Sequence, residues 1–202
     1  MSIARVHSRD AMNARMHARA DIARRRTRAS RERANATAGD DERERACESF
    51  EGTWTRDRTR NQHVAEYLIA HGVGMSAIED ARMTYEQTWT RASPLGTFVV
   101  HTTTASGIDR VLTYELGEFV EKYGKKSALF GDGPGEVKRR ASFDAATRTH
   151  FVTTTSALGD ETTTRVVDED GKTMRVRRTF KRRDDPLVDI WCQEVFVKQS
   201  AK

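Results

Sequence analysis

Six histidines (His7, His17, His63, His71, His101 and His150) and two cysteines (Cys47 and Cys192) are the side chains of this 202-residue chain best suited to bind a metal or act as nucleophiles. None of the histidines stands at ligand spacing from a Cys, Asp or Glu, and the cysteines form neither a CxxC pair nor a disulfide framework, so no metal and no redox chemistry is implied. His63 and His71 read as solvated residues at the two ends of a short helix. Gly131-Asp132-Gly133-Pro134-Gly135 is followed by Glu136-Val137 rather than by Lys-Ser/Thr opening a helix, which makes it a hairpin loop and not a phosphate cradle. Asp168-Glu169-Asp170-Gly171 lacks the alternating ligands and terminal Glu of a calcium loop. With no nucleophile elbow either, no catalysis is implied. What remains is charge and hydroxyl. Lys138-Arg139-Arg140, Arg177-Arg178 and Lys181-Arg182-Arg183 form basic strand faces, open to two readings: a solvated outer wall, or contact with an anionic membrane. Threonine triplets at 102–104, 153–155 and 162–164 favour strands and permit a partly polar interior.

The elements that must position these residues divide the chain in two. Residues 1–47 hold 12 Arg, no Lys and 7 acids, so the whole formal excess of +5 lies there and residues 48–202 balance at 23 of each sign. No aromatic residue occurs before Phe50, which leaves little apolar burial to offset the entropy of ordering the segment. A disordered or loosely helical tail is expected over 1–47, and a folded domain over 48–202. Three readings of the tail stay open: an Arg-rich, acid-poor import presequence, a polyanion-binding arm, or an extension without function. The lack of an aromatic to stack on a base counts against nucleic acid as its partner. No run approaches the roughly 18–20 consecutive apolar residues of a spanning helix, and no signal-peptide core is present, so a cytoplasmic monomer is expected, with organelle import through 1–47 as the alternative.

From Phe50 onward, β-branched runs punctuated by Gly read as strands at 51–55, 85–92, 96–104, 110–116, 137–143, 149–156, 161–167, 173–181 and 187–198. Evident turns such as Ser93-Pro94-Leu95-Gly96 and Asp170-Gly171-Lys172 join neighbours as hairpins. Between Asn61 and Met83 the apolar positions instead follow helical spacing, split into two short helices by Gly72-Val73-Gly74, with Asn61 as the first N-cap and Ser76 opening the second. One strand, a helical pair and then a run of hairpins predicts an all-β, antiparallel up-and-down barrel of about ten strands with a two-helix lid.

The residues in that order resemble the intracellular lipid-binding proteins, the fatty-acid- and retinoid-binding branch of the calycins. Phe50-Glu51-Gly52-Thr53-Trp54 is similar to the family's opening strand, and the segment from Glu66 to Met75 to its lid helix and Gly-Val-Gly turn. Thr113-Tyr114-Glu115-Leu116-Gly117-Glu118-Phe119 resembles the fourth-strand region, and Cys192-Gln193-Glu194-Val195-Phe196-Val197-Lys198 the final strand. The resemblance implies non-covalent binding and intracellular transport of a hydrophobic small molecule, without cofactor or catalysis. It places Arg165, Glu194 and Phe196 at the ligand with Tyr67 and Met75 of the lid, and Gly72, Gly74 and Ile108 at the portal.

The departures bear on the ligand. The final strand of fatty-acid carriers ends in Cys-x-Arg-x-Tyr, and here those positions are Glu194 and Phe196, so a carboxylate would meet an acceptor instead of a guanidinium fork. A neutral lipid alcohol or a cation suits an ionised Glu194, and burial could instead hold it protonated. Counting back from Asp170-Gly171-Lys172 puts the family's second anchor at Val166, or at Arg165 if the turn is one residue longer. Strand alternation makes that single residue decide whether Arg165 faces inward. If it does, an Arg165–Glu194 salt bridge is one expectation and a ligand contact the other. The alternative function is an interaction protein whose basic tail binds RNA or an anionic surface, the barrel being a scaffold.

Overall fold

The computed structural model describes residues 40–75, 78–79, 85–104, 109–123 and 135–200. The chain divides into two units, residues 1–42 and 43–202. The expectations for the Arg-rich segment fall almost wholly outside the described residues, as do those for Ser76, Ile108 and the loop at 131–134.

The second unit opens inside a helix, α1 (residues 40–50), in a stretch whose composition reads as the end of the tail. Ala46, Cys47 and Phe50 of α1 are buried, which is why the unit begins at residue 43 and not at 48. The Phe50 ring lies 5.6 Å from Trp89, 5.4 Å from Phe98 and 5.8 Å from Phe143, centroid to centroid. Trp54 Nε1 donates to Phe50 O at 2.8 Å. On the solvent side, Arg91 gathers Glu44 at 3.6 Å, Glu48 at 3.5 Å and Glu51 at 2.9 Å, so α1 is held by packing within and charge without.

Ten strands follow, with the helical lid between the first two: β1 (Gly52–Arg56), a 3-10 turn (Arg58–Arg60), α2 (Val64–Ala70), β2 (Tyr85–Ala92), β3 (Thr97–Thr104), β4 (Asp109–Tyr114), β5 (Gly117–Tyr123), β6 (Gly135–Asp144), β7 (Thr149–Thr155), β8 (Gly159–Val167), β9 (Thr173–Arg182) and β10 (Asp189–Lys198). Residues 75, 78 and 79 are helical as well. The strands make one antiparallel sheet in the order β4-β3-β2-β1-β10-β9-β8-β7-β6-β5, so the all-β, up-and-down expectation holds. The β1–β10 ladder joins the two ends of the unit. β4 and β5 are the sheet edges, and side chains meet between them: Arg110 ion-pairs with Glu121, and the rings of Tyr114 and Phe119 lie 6.4 Å apart. The sequence pattern gives a strand over 110–116 and no further one before 137, so β5 is an element it misses, with only Glu115 and Leu116 between it and β4.

Alternation is clean on β6, where Val137, Arg139 and Ala141 are buried while Lys138, Arg140 and Ser142 are exposed. Gly159 at the start of β8 is required by close approach, since a Cβ there would sit 2.1 Å from the Lys181 carbonyl oxygen. The lid starts differently from expectation. His63, at φ 56°, is the N-cap of α2 and makes no side-chain capping bond, while Asn61 Oδ1 accepts the Val195 N–H at 3.1 Å. Asn61 is drawn to β10 because the chain after β1 continues along that strand, as the Gln62–Gln193 bridge shows. Gly72 follows α2 at φ 75°, a conformation that terminates a helix at little cost only for glycine.

If α1 closes the aromatic cluster as described, Phe50→Ala should lower unfolding free energy by about 3–5 kcal/mol in denaturant titrations. A loss below about 1 kcal/mol would show that the cluster does not depend on α1.

Candidate functional site

The inward face of the barrel carries charge as well as apolar groups. Arg56, Arg139, Arg165 and Glu194 are buried, and Arg178 and Glu161 face the same interior. Such groups are tolerated only when paired and hydrogen-bonded. Glu194 accepts from Arg56 Nη1 at 3.0 Å and from Arg178 Nη1. Burial pushes its pKa up, but the attraction of Arg178 and then Arg56 outweighs burial and holds it below the ordinary carboxylate value. Glu194 is therefore ionised and already satisfied, which corrects two expectations: it is not kept protonated by burial, and its partner is not Arg165. Arg139 in turn donates to Glu121 Oε2 at 3.0 Å and to Thr154 Oγ1 at 2.8 Å.

Glu161 holds the lid. Tyr67 OH of α2 donates to it, Thr163 Oγ1 donates at 2.8 Å, and His71 Nε2 lies 3.7 Å away. Burial raises the Glu161 pKa, yet His71, Arg178, Tyr67 and Thr163 together bring it down to about 2. The Tyr67 phenol moves the other way, well above its usual value, through burial and the neighbouring Glu161 charge. His71 was expected to be solvated and is buried instead, its ring stacked on Phe180 at 3.8 Å with Nδ1 2.8 Å from Tyr67 O. Arg182 Nη1 caps the end of α2 by donating to Ala70 O at 3.2 Å.

Arg165 is different. It faces inward at 4% exposure while Val166 does not, which resolves the one-residue ambiguity of the hairpin count. It donates to Tyr114 OH at 3.1 Å and lies 3.3 Å from His150 Nδ1, with its guanidinium carbon 4.9 Å from the Tyr114 ring centre and 5.5 Å from that of Trp89. No carboxylate among the described residues pairs with it, and its Nε has no hydrogen-bond partner there. Burial lowers its pKa. The fully buried Tyr114 hydroxyl would rise through burial alone, but Arg165 and three further arginines bring it below its usual value. Burial, then Arg165, keeps the His150 imidazole neutral, its pKa well below the usual value.

Of the other expected residues, Phe196 is fully buried, with its ring 5.8 Å from Tyr85, and Tyr67 is buried at the lid contact. Met75 is 61% exposed and is not brought to the interior group. Gly72 occupies the left-handed region and Gly74 does not. A pocket of about 350 Å³, half open to solvent, runs along α2 and the 3-10 turn, with Arg56, Arg58, Asn61, His63, Val64 and Leu68 among its lining; Arg165, Glu194 and Tyr67 do not line it. Sequence reasoning missed Arg56, Arg178, Glu161, Tyr114 and His150. For Arg178 and Glu161 the signal was parity: Arg178 shares its strand face with Met174, Val176 and Phe180, and Glu161 with Thr163 and Val167. Among the described residues no cluster of His, Cys, Asp and Glu could hold a metal.

A lidded ten-stranded antiparallel barrel with a charged interior is the architecture of the fatty-acid-binding proteins, and the chain has that fold. Solved structures similar to it include fatty-acid-binding protein 1 of Echinococcus granulosus (14% identity, TM-score 0.54, covering 76% of this chain and 99% of that one). The fatty-acid-binding protein of Manduca sexta is similar at 14% identity and TM-score 0.52, covering 73% and 98%. Zebrafish ileal bile acid-binding protein, solved with cholic acid, gives 10% identity and TM-score 0.51, covering 75% and 99%. No known family profile and no curated protein sequence matches the chain.

The lid contact has a pH signature. Because Glu161 titrates at about 2 in the fold and at an ordinary 4.5 when unfolded, its contribution is complete above about pH 4.5 and is lost as pH falls toward 2. That displacement corresponds to about 3 kcal/mol. Glu161→Gln should flatten the fall in stability across this window, measured by denaturant titration at stepped pH; an unchanged slope would remove Glu161 from the account.

Proposed function

We propose that the chain binds an amphipathic small molecule bearing a carboxylate or similar anionic head group inside the barrel, and carries it between membranes. Arg165 carries this reading. Each other buried arginine is held by a glutamate, whereas Arg165 is a buried cation satisfied only by a phenol, an imidazole and aromatic faces. A ligand anion would supply the missing charge and accept from donors already turned toward it. The apolar body would lie along the interior, each Å² removed from water contributing about 25 cal/mol. This favours an acid over the neutral alcohol or cation that the sequence of the final strand suggested, because Glu194 already has two arginines.

The ligand would enter beside α2, where the pocket along the 3-10 turn lies, with Tyr67 and Gly72 at the moving element. Ile69, Met75 and Leu187 are exposed on the lid and on the β9–β10 turn beside it, next to Arg182 and Arg183. Apolar side chains flanked by arginine suit docking on an anionic membrane during ligand exchange.

Arg165→Gln should weaken binding of a fluorescent long-chain fatty acid by about 10- to 100-fold, the value of a charged hydrogen bond, and leave its methyl ester unaffected. Equal affinity for acid and ester in both proteins would overturn the reading. Tyr67→Phe, by removing the lid's hydroxyl from Glu161, should speed probe release in stopped-flow exchange while changing equilibrium affinity less than the rate.

A further inference from the structure

The outer wall of the barrel presents a second surface, independent of the cavity. The register sets Arg140 (β6), Thr153 (β7), Thr162 (β8), Thr179 (β9) and Trp191 (β10) in one row across five strands. The adjacent row runs through Phe151, Thr164 and Arg177. These eight side chains include no carboxylate. Arg140 and Arg177 are exposed and make no ion pair among the described residues. The guanidinium carbon of Arg177 lies 4.5 Å from the ring centre of Trp191, which also meets the His63 ring edge-to-face at 4.6 Å, and Phe151 is 36% exposed, a large share for an aromatic on a packed sheet. The acids bordering the strip are engaged elsewhere: Asp189 with Lys181 at 3.2 Å, Asp160 with Arg183 at 3.7 Å and Asp168 with Arg175 at 2.9 Å. Glu118 of β5 stands opposite Arg140 at one margin.

We propose that this strip of β6–β10 is a binding surface for single-stranded nucleic acid. Two separated guanidinium groups match phosphates, a floor of threonine hydroxyls can donate to phosphate and sugar oxygens, and the exposed Phe151 ring and the Arg177 guanidinium backed by Trp191 can stack on unpaired bases. Strands about 4.8 Å apart, with Phe151 on β7 and Trp191 on β10 in adjacent rows, set the two about 16 Å from each other, a span of a few nucleotides. A duplex would hide its bases from both rings. A bilayer fits less well, because apart from Phe151 the strip has no apolar group free to enter acyl chains. The Arg-rich segment 1–47 has no aromatic residue, so stacking must come from the barrel wall.

The test uses the full chain with a labelled short oligouridylate and a matching oligothymidylate, titrated by fluorescence anisotropy over a range of salt, beside phosphatidylserine vesicles. Arg140→Gln with Arg177→Gln should weaken binding at least tenfold and lower the salt slope by about 1.4, or about 0.7 for each phosphate contact. Phe151→Thr should weaken binding about tenfold with the salt slope unchanged. Affinity untouched by both variants would mean that residues 1–47 bind alone, and would overturn the proposal. So would variants that lose vesicle binding while keeping oligonucleotide binding. Should a variant fail to fold by circular dichroism, photocrosslinking of wild-type chain to an iodouridine oligonucleotide decides: adducts at Phe151 or Trp191 support the surface, and adducts confined to residues 1–47 refute it.

Discussion

Charges sealed inside a sheet must find partners on other strands, and this requirement organises the whole interior. Glu194 on β10 is bracketed by Arg56 from β1 and Arg178 from β9, so one carboxylate ties together the three strands where the first and last parts of the barrel meet. Glu121 does the same across the open edge, taking Arg139 from β6 and Arg110 from β4, where no backbone ladder joins β4 to β5 among the described residues. A one-residue slip in any of these strands would turn a charge outward and leave its partner buried alone, a far larger penalty than a lost apolar contact. The ion pairs thus fix register and stabilise only in that sense. Arg165 stands out against this pattern: among the described residues no carboxylate pairs with it, and its Nε has no hydrogen-bond partner.

The two ends of the barrel are closed by different physics. At one, α1 inserts Phe50 among Trp89, Phe98 and Phe143, a contact made of apolar area and held from outside by Arg91. Such packing has no partly open state of low energy. At the other, α2 rests on Phe180 and Cys192 through a small apolar cluster, and its specific hold is polar: Tyr67 and His71 on Glu161, Arg182 on Ala70. Polar contacts can be exchanged for water at modest net cost, which apolar packing cannot, so the lid is held by contacts of a different kind. Cys192 beneath it, its thiol pushed up to about 12 by burial, is an inert part of this floor.

Strand alternation also gives the wall two chemistries at once. On β9 the same run that turns Met174, Val176 and Arg178 inward turns Arg175, Arg177 and Thr179 outward, and the outer set does not sense what fills the cavity. Interior and exterior can therefore be altered separately by substitution, which is what makes the two proposed binding surfaces experimentally separable.

Much of the architecture was legible in the sequence. Period-two alternation, Gly-containing turns and one interval of helical spacing gave the strands, the antiparallel order and the lid, because these depend on contacts between near neighbours in the chain. The breaks in legibility were local as well: two residues between β4 and β5 carry no turn signal, and α1 lies in text whose composition suggests a tail until Cys47 and Phe50 are seen to be buried. The candidate site was half legible. Arg165 and Glu194, singled out in the sequence, are both buried, but their partners were not legible, since Glu194 meets Arg56 across 138 residues and Arg178 across 16, and no local pattern states which guanidinium reaches which carboxylate. The sequence by itself determined where strands with alternating faces run, through a period set by backbone geometry. Only the tertiary structure decided which buried charge is left unpaired, because pairing is a property of register between strands distant in the chain.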